Sequence, residues 1–214
     1  MKTLGDFRNL IRAQAGGIEV GAASAQYALE WSMVDLVMMS VEAKSDRFRF
    51  PDRQDLIAGQ AEYRLPAGMV AAAGVAIVSS GNIRSLNNVS FTARAQPAES
   101  YFGNGSYDGY TIDHRTVTVM PTPSSFIAGA LVIYGWIMPK VPNAQELAVP
   151  CPLEAERFLI ANAVASHLLP PPPPQAIQIA AAQASGERMK LEKWLRFSVR
   201  DVLPGTTYEG GGAP

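Results

Sequence analysis

Three blocks decide the fold: DGYTIDHRTVTVMPTP (Asp108–Pro123), GALVIYGWIMPKVP (Gly129–Pro142) and CPLEAERFLIANAVASHLL (Cys151–Leu169). In the first, Thr116 to Met120 alternates, with Val117 and Val119 on one face and Thr116 and Thr118 on the other, the pattern of a half-buried strand. The Asp113-His114 pair before it is the expected hairpin turn. In the second block, Ala130 to Met138 carries Leu131, Ile133 and Ile137 on one face and Val132, Tyr134 and Trp136 on the other. Apolar residues on both faces predict a central strand that is covered on both sides. The third block opens on Pro152 with Glu154 and Glu156 in the first turn, where the acids favour the positive end of a helix. Ile160, Val164 and Leu168 form its buried row, and Pro170 ends it. Hairpin, long apolar strand, loop and helix follow in order, and none of them supplies a reaction centre.

Upstream, Arg47–Phe50, Ala61–Pro66, Met69–Ser80 and Val89–Ala95 read as short strands separated by Pro, Gly, Asn or Asp. Glu99 to Gly109, rich in Gly, Asn, Ser and Tyr, is expected to project as a loop. Nearer the start, Phe7, Leu10 and Ile11 recur at helical spacing in Thr3–Ala15, and Gly16-Gly17 stops that helix. A longer helix is expected over Gly21–Ala43, with Leu29, Met33, Leu36, Val37 and Val41 as its core stripe. Trp31, Val34, Met38 and Met39 extend the apolar surface nearly all round. Such a helix should meet its own domain on one side and another subunit on the other, because exposed apolar area costs roughly 25 cal/mol per Å² relative to burial. Trp31, Met38 and Met39 are therefore candidate interface residues.

Downstream, five consecutive prolines, Pro170–Pro174, predict a stiff polyproline II connector. A last helix is expected over Gln175–Phe197, with Ile177, Ala180, Ala184, Leu191, Trp194 and Leu195. The closing PGTTYEGGGAP has too little apolar content to order by itself. The expected class is α+β, an N-terminal helical pair and C-terminal helices flanking a small antiparallel β-sandwich or barrel-like domain. Boundaries fall at 1–45 for the first helices, 46–142 for the β-domain, 143–203 for the C-terminal helices and 204–214 for a flexible tail.

Composition narrows the chemistry. The 214 residues are 48% hydrophobic, enough for a real core, and 18 basic against 19 acidic residues give a net charge of -1. A near-neutral chain has no global field to hold nucleic acid. A single cysteine excludes an internal disulfide framework and fits a reducing compartment. No apolar run reaches the roughly 20 residues of a membrane span, and MKTLGDFRNLIRAQAGG lacks a signal-peptide core. There is no phosphate-binding GxxxxGK[ST], dinucleotide GxGxxG, HExxH or GxSxG pattern. His114 falls in a turn and His167 near a helix C-terminus, both ordinary places for histidine. Cys151, just ahead of Pro152, reads as structural. Asp46, Asp52 and Asp55 interleave with Arg47, Arg49 and Arg53, which favours an ion-pair surface over a metal site. No catalytic residue, cofactor or metal is expected.

The order of elements resembles the head-to-tail adaptor proteins of tailed bacteriophages. In that family a helical pair leads into a β-domain near a pattern like GQAEYRLPAGM (Gly59–Met69). A hairpin like YTIDHRTVTVMPTP follows, then a strand like ALVIYGWIMPKVP and a helix after a conspicuous proline. The resemblance covers most of residues 1–197. It departs at EVGAASAQYALEW, where an acidic, polar helix start is usual, and at the proline run. It implies a homo-oligomeric ring of about twelve copies, each meeting two neighbours heterologously. That ring would dock on the portal protein at the neck of the virion, present a lower face to the tail, nozzle or terminator protein, and let double-stranded DNA pass. Assembly in the host cytoplasm, with no membrane partner, is implied as well. Adaptor C-termini commonly reach into the portal, which makes Tyr208, the one aromatic residue of the tail, a candidate anchor.

Two other readings stay open. A binding module would display Tyr101, Phe102, Tyr107 and Tyr110 on the 99–110 loop as contacts for a sugar or protein partner. Helices flanking the β-domain weigh against that. An enzyme built on Cys151 or an acidic pair lacks a supporting constellation.

Overall fold

The computed structural model describes residues 1–79, 81–89 and 109–196. The chain is α+β and divides into two compact units: Phe48–Met138 is one, and Met1–Arg47 with the described residues from Pro139 onward is the other. The helices before and after the sheet region thus share one unit, although the sequence separates them.

In the helical unit, α1 (Leu4–Gln14) and α2 (Ala22–Glu42) precede the β-region. After it come a 3-10 turn (Leu153–Ala155), α3 (Glu156–Asn162), a π-helical turn (Ala163–His167) and α4 (Pro174–Arg196). The start of α1 is held in two ways. Thr3 and Asp6 form a reciprocal capping box, Asp6 N–H donating to Thr3 Oγ1 at 3.1 Å and Thr3 N–H to Asp6 Oδ2 at 2.8 Å. The hydrogen bond from the Thr3 backbone, then the one from its side chain, holds the Asp6 carboxyl below its usual value. Helix-start amides that would otherwise lack partners donate across to the 145–149 segment, Leu4 N–H to Leu147 O at 3.0 Å and Gly5 N–H to Gln145 O at 2.9 Å. Lys2 also pairs with Glu156, a buried carboxylate at the start of α3. The first residues of the chain are in this way stitched to the segment that leads into α3.

Around these ties packs an apolar core containing Phe7 and Ile11 of α1, Leu29, Met33 and Leu36 of α2, Leu159 of α3 and Leu191 and Leu195 of α4. Ile160, Val164 and Leu168 are buried as their spacing requires. Of the five prolines, Pro174 begins α4, where its missing N–H is no loss. The connector is therefore shorter than the run. From the last turns of α2, Ser40 Oγ donates to Arg47 O at 2.8 Å, and the Arg47 guanidinium lies 3.7 Å above the Trp194 ring of α4.

The other unit is a sandwich of two four-stranded sheets. Its strands are β1 (Arg49–Leu56), β2 (Glu62–Arg64), β3 (Met69–Ser79), β4 (Asn82–Ser85), β5 (Asn87–Asn88), β6 (Gly109–Asp113), β7 (Thr116–Met120) and β8 (Ile127–Ile137). Their order is β1-β8-β3-β4 in one sheet and β2-β7-β6-β5 in the other, antiparallel except for the β5–β6 pair. Between them lie Leu56, Val75, Ile77, Leu131 and Ile133 from the first sheet and Tyr63, Tyr110, Val117 and Val119 from the second. As its two apolar faces require, β8 is an interior strand. Tyr63 is buried, yet its hydroxyl donates to Gln60 O at 2.8 Å and accepts from Ile57 N–H at 3.1 Å, so the ring enters the core without stranding a polar group.

Two expectations need correction. The first strand is not confined to Arg47–Phe50 but runs through Pro51 to Leu56. Proline is tolerated because β1 is an edge strand. The acids on it serve the sheet, Asp55 Oδ1 accepting from Gly129 N–H at 2.6 Å where β1 and β8 shift register. The turn residues between β6 and β7 are His114 and Arg115, one later than expected, with His114 at φ +48. Most of the expected Val89–Ala95 strand lies outside the described residues.

Gly135 marks the tightest approach in this sandwich. A Cβ there would come within 2.6 Å of Ala71 O and 2.5 Å of Met69 Sδ, next to irregular pairing of β3 with β8. Gly135→Ala should therefore destabilise the β-unit by about 1–3 kcal/mol, as overpacking does. Denaturant unfolding checks this, and an unchanged midpoint would show that β3 can yield.

Candidate functional site

The most unusual surface of the helical unit is the outer side of α2. Leu29, Met33, Leu36 and Val37 point into the core, as the helical period demands. On the opposite side Tyr27, Trp31, Val34 and Met38 follow one another at four, three and four residues, a coiled-coil spacing. Trp31 remains 47% exposed and Met38 40%. Met39 does not share this surface: at 4% exposure it belongs to the subunit's own core, which corrects its expected place at an interface. Adjacent residues of a helix point about 100° apart, and α2 turns Met39 inward where Met38 turns out.

Trp31 is held in place by its neighbours. Tyr27 meets it edge-on at 6.2 Å between ring centroids, and the His167 imidazole stacks on it at 6.3 Å. His167 Nε2 in turn lies 2.9 Å from Asp35 Oδ2, and Asn162 Nδ2 donates to the same oxygen at 2.8 Å. Both partners come from the α3 segment and are five residues apart. In a regular α-helix they would face apart, but the π-turn pairs residues i and i+5 and brings both round to one carboxylate. Periodicity of apolar residues carries no trace of that turn, so sequence reasoning missed the cluster and assigned His167 only a helix-end role. Asn162 also reaches Ser32 Oγ at 3.4 Å. The arrangement is an Asp–His–Asn clamp between α2 and α3 that fixes the aromatic side chains outside it.

Beside the clamp a groove of ≈ 440 Å³ opens between α2, the α3 segment and α4, lined by Met38, Met39 and Phe158 with Asp35, Glu42 and Arg188. Arg188 lies 3.9 Å from Glu42 and 3.1 Å from Glu192, so its charge is already engaged.

The other candidates stand apart from this surface. His114 is solvent-exposed in its turn. Cys151 is half-buried ahead of α3; burial and then the Glu156 carboxylate push its thiol up from 9.0 to about 12, so the nucleophilic thiolate is scarce at neutral pH. Tyr101, Phe102, Tyr107 and Tyr208 lie outside the described residues. Among the described residues no three His, Cys, Asp or Glu side chains group to hold a metal ion, and no helix is long and apolar enough to cross a membrane. Compared with known proteins, the chain matches no family model and no curated sequence.

Cys151→Ser gives a pH test of its environment. Because the folded state raises the thiol pKa, any stability that the neutral thiol confers is present below about pH 9 and is lost as pH climbs towards 12. Wild-type protein should lose melting temperature relative to Cys151→Ser between pH 8 and pH 10.5. An equal response of the two proteins would mean the thiol titrates as it does in an unfolded chain.

Proposed function

We propose that this chain is a structural subunit: a head-to-tail adaptor of a tailed phage, forming a ring at the neck of the virion. In this reading the ring docks on the portal, connects the capsid to the tail or nozzle, and leaves a lumen for DNA. The observation that carries it is the exposed aromatic and aliphatic row on α2. A ring member meets neighbours through two different faces, and a helix with a buried side and a preorganised apolar outer side is suited to that task. The order of elements supports the reading too, since two helices, a β-unit with a central two-faced strand and a proline-initiated helix follow one another as in the adaptors this sequence resembles. A net charge of -1 suits a lumen that must let DNA slide without gripping its phosphates. The aromatic-loop module has no comparable support among the described residues.

Purified chain mixed with portal-bearing heads that lack neck proteins tests this directly. Several copies per head, about twelve on the ring model, should co-sediment with the heads. Protein that stays monomeric and leaves the heads bare would contradict the assignment.

A further inference from the structure

The helical unit carries a second outward row that the adaptor reading does not use. On α4, Ile179, Ala182, Gly186, Met189 and Lys193 are spaced three, four, three and four residues apart, again a coiled-coil interval. This side is turned away from the core, because Ala180, Ala184, Leu191 and Leu195 supply the buried side of α4. Ile179 is 58% exposed and Met189 62%. Gly186 is the telling position. Glycine inside a helix costs about 1 kcal/mol relative to alanine, and a Cβ at Gly186 would meet nothing within 4 Å. No close packing inside the subunit therefore asks for glycine at this site.

The two rows complement each other. The α2 row is bulky, Tyr27, Trp31, Val34 and Met38, while the middle of the α4 row is small, Ala182 and Gly186 between Ile179 and Met189. Charge matches as well. Among the described residues Glu30, which flanks the α2 row, is met only by the neutral Gln26 amide at 3.0 Å, whereas Lys193 and Arg196 at the end of the α4 row form no ion pair. Pairing α2 with its own copy would set aromatic against aromatic and Glu30 near Glu30. Pairing α2 with α4 sets large against small and acid against base.

We propose that the α2 row of one subunit packs on the α4 row of the next, so that copies of this chain associate head to tail through a helix–helix seam. The proposal deepens the ring-subunit reading and rests on it, but it adds which faces meet. A heterologous contact of this kind closes into a ring or extends without limit according to its angle. Trp31, fixed by Tyr27 and His167, is the knob, and the ground around Gly186 is the hole.

Half-interface variants test the seam. Trp31→Glu with Met38→Glu disables only the α2 row, and Ala182→Glu with Met189→Glu disables only the α4 row; all four positions are exposed in the subunit. Masses are read by sedimentation, with circular dichroism melts to establish folding. Wild-type chain should form multimers and each double variant a monomer, while an equimolar mixture of the two should give a dimer and nothing larger, since one intact contact remains per pair. If a double variant fails to fold, Met38→Glu and Met189→Glu alone serve in the same scheme. Multimers of wild-type size from either variant would overturn the seam and leave the ring reading standing. A mixture that stays monomeric would overturn it also, as would self-dimers of the α4 variant, which would point to α2 pairing with itself. Wild-type chain that is monomeric both free and with portal-bearing heads would remove the ring reading itself.

Discussion

Apolar residues on two opposite sides of α2 set the constraint on which the helical unit is built. Burying one side takes α1, the α3 segment and α4 together, and these come from opposite ends of the chain. The stitches at the start of α1 follow from the same need. Hydrogen bonds from Leu4 and Gly5 to the 145–149 segment, with the Lys2–Glu156 pair, bring the distant halves of the unit together where α3 begins. What three helices cannot cover is the outer row from Tyr27 to Met38, and the function proposed for the molecule begins there.

Much of this was legible in the sequence, for identifiable reasons. Helix α1 announced itself by its apolar spacing and its glycine stop, and β7 and β8 by alternation on one face and on two. Other features gave no usable signal. The edge strand β1 hides behind Pro51, because propensity cannot tell an edge, where the missing amide costs nothing, from an interior position. The short β4 and β5 are polar or exposed, so burial writes no pattern into them. A helix that is apolar on two sides also does not reveal which of two neighbouring methionines faces in, and Met39 was misplaced for that reason. The shared unit formed by the two ends of the chain rests on long-range pairing, which local periodicity does not encode.

The candidate surface was half legible. Trp31 and Met38 could be singled out because they fall off the core stripe, but the clamp behind them depends on a π-turn that aligns Asn162 with His167. That clamp holds a carboxylate and an imidazole 2.9 Å apart. Its groups are engaged with one another: Asp35 meets both Asn162 and His167, and the imidazole stacks on the Trp31 ring at 6.3 Å between centroids with a 26° tilt. Fixing an aromatic side chain before association reduces the conformational entropy lost on binding, which is how a rigid knob gains affinity over a flexible one.

Oxidative footprinting of the side chains during assembly tests the central claim most directly. As multimers form with rising concentration, labelling of Trp31, Met38 and Met189 should fall together, while Met39, already buried, should stay weakly labelled throughout. Multimers in which Trp31, Met38 and Met189 remain as reactive as in the dilute chain would contradict the account.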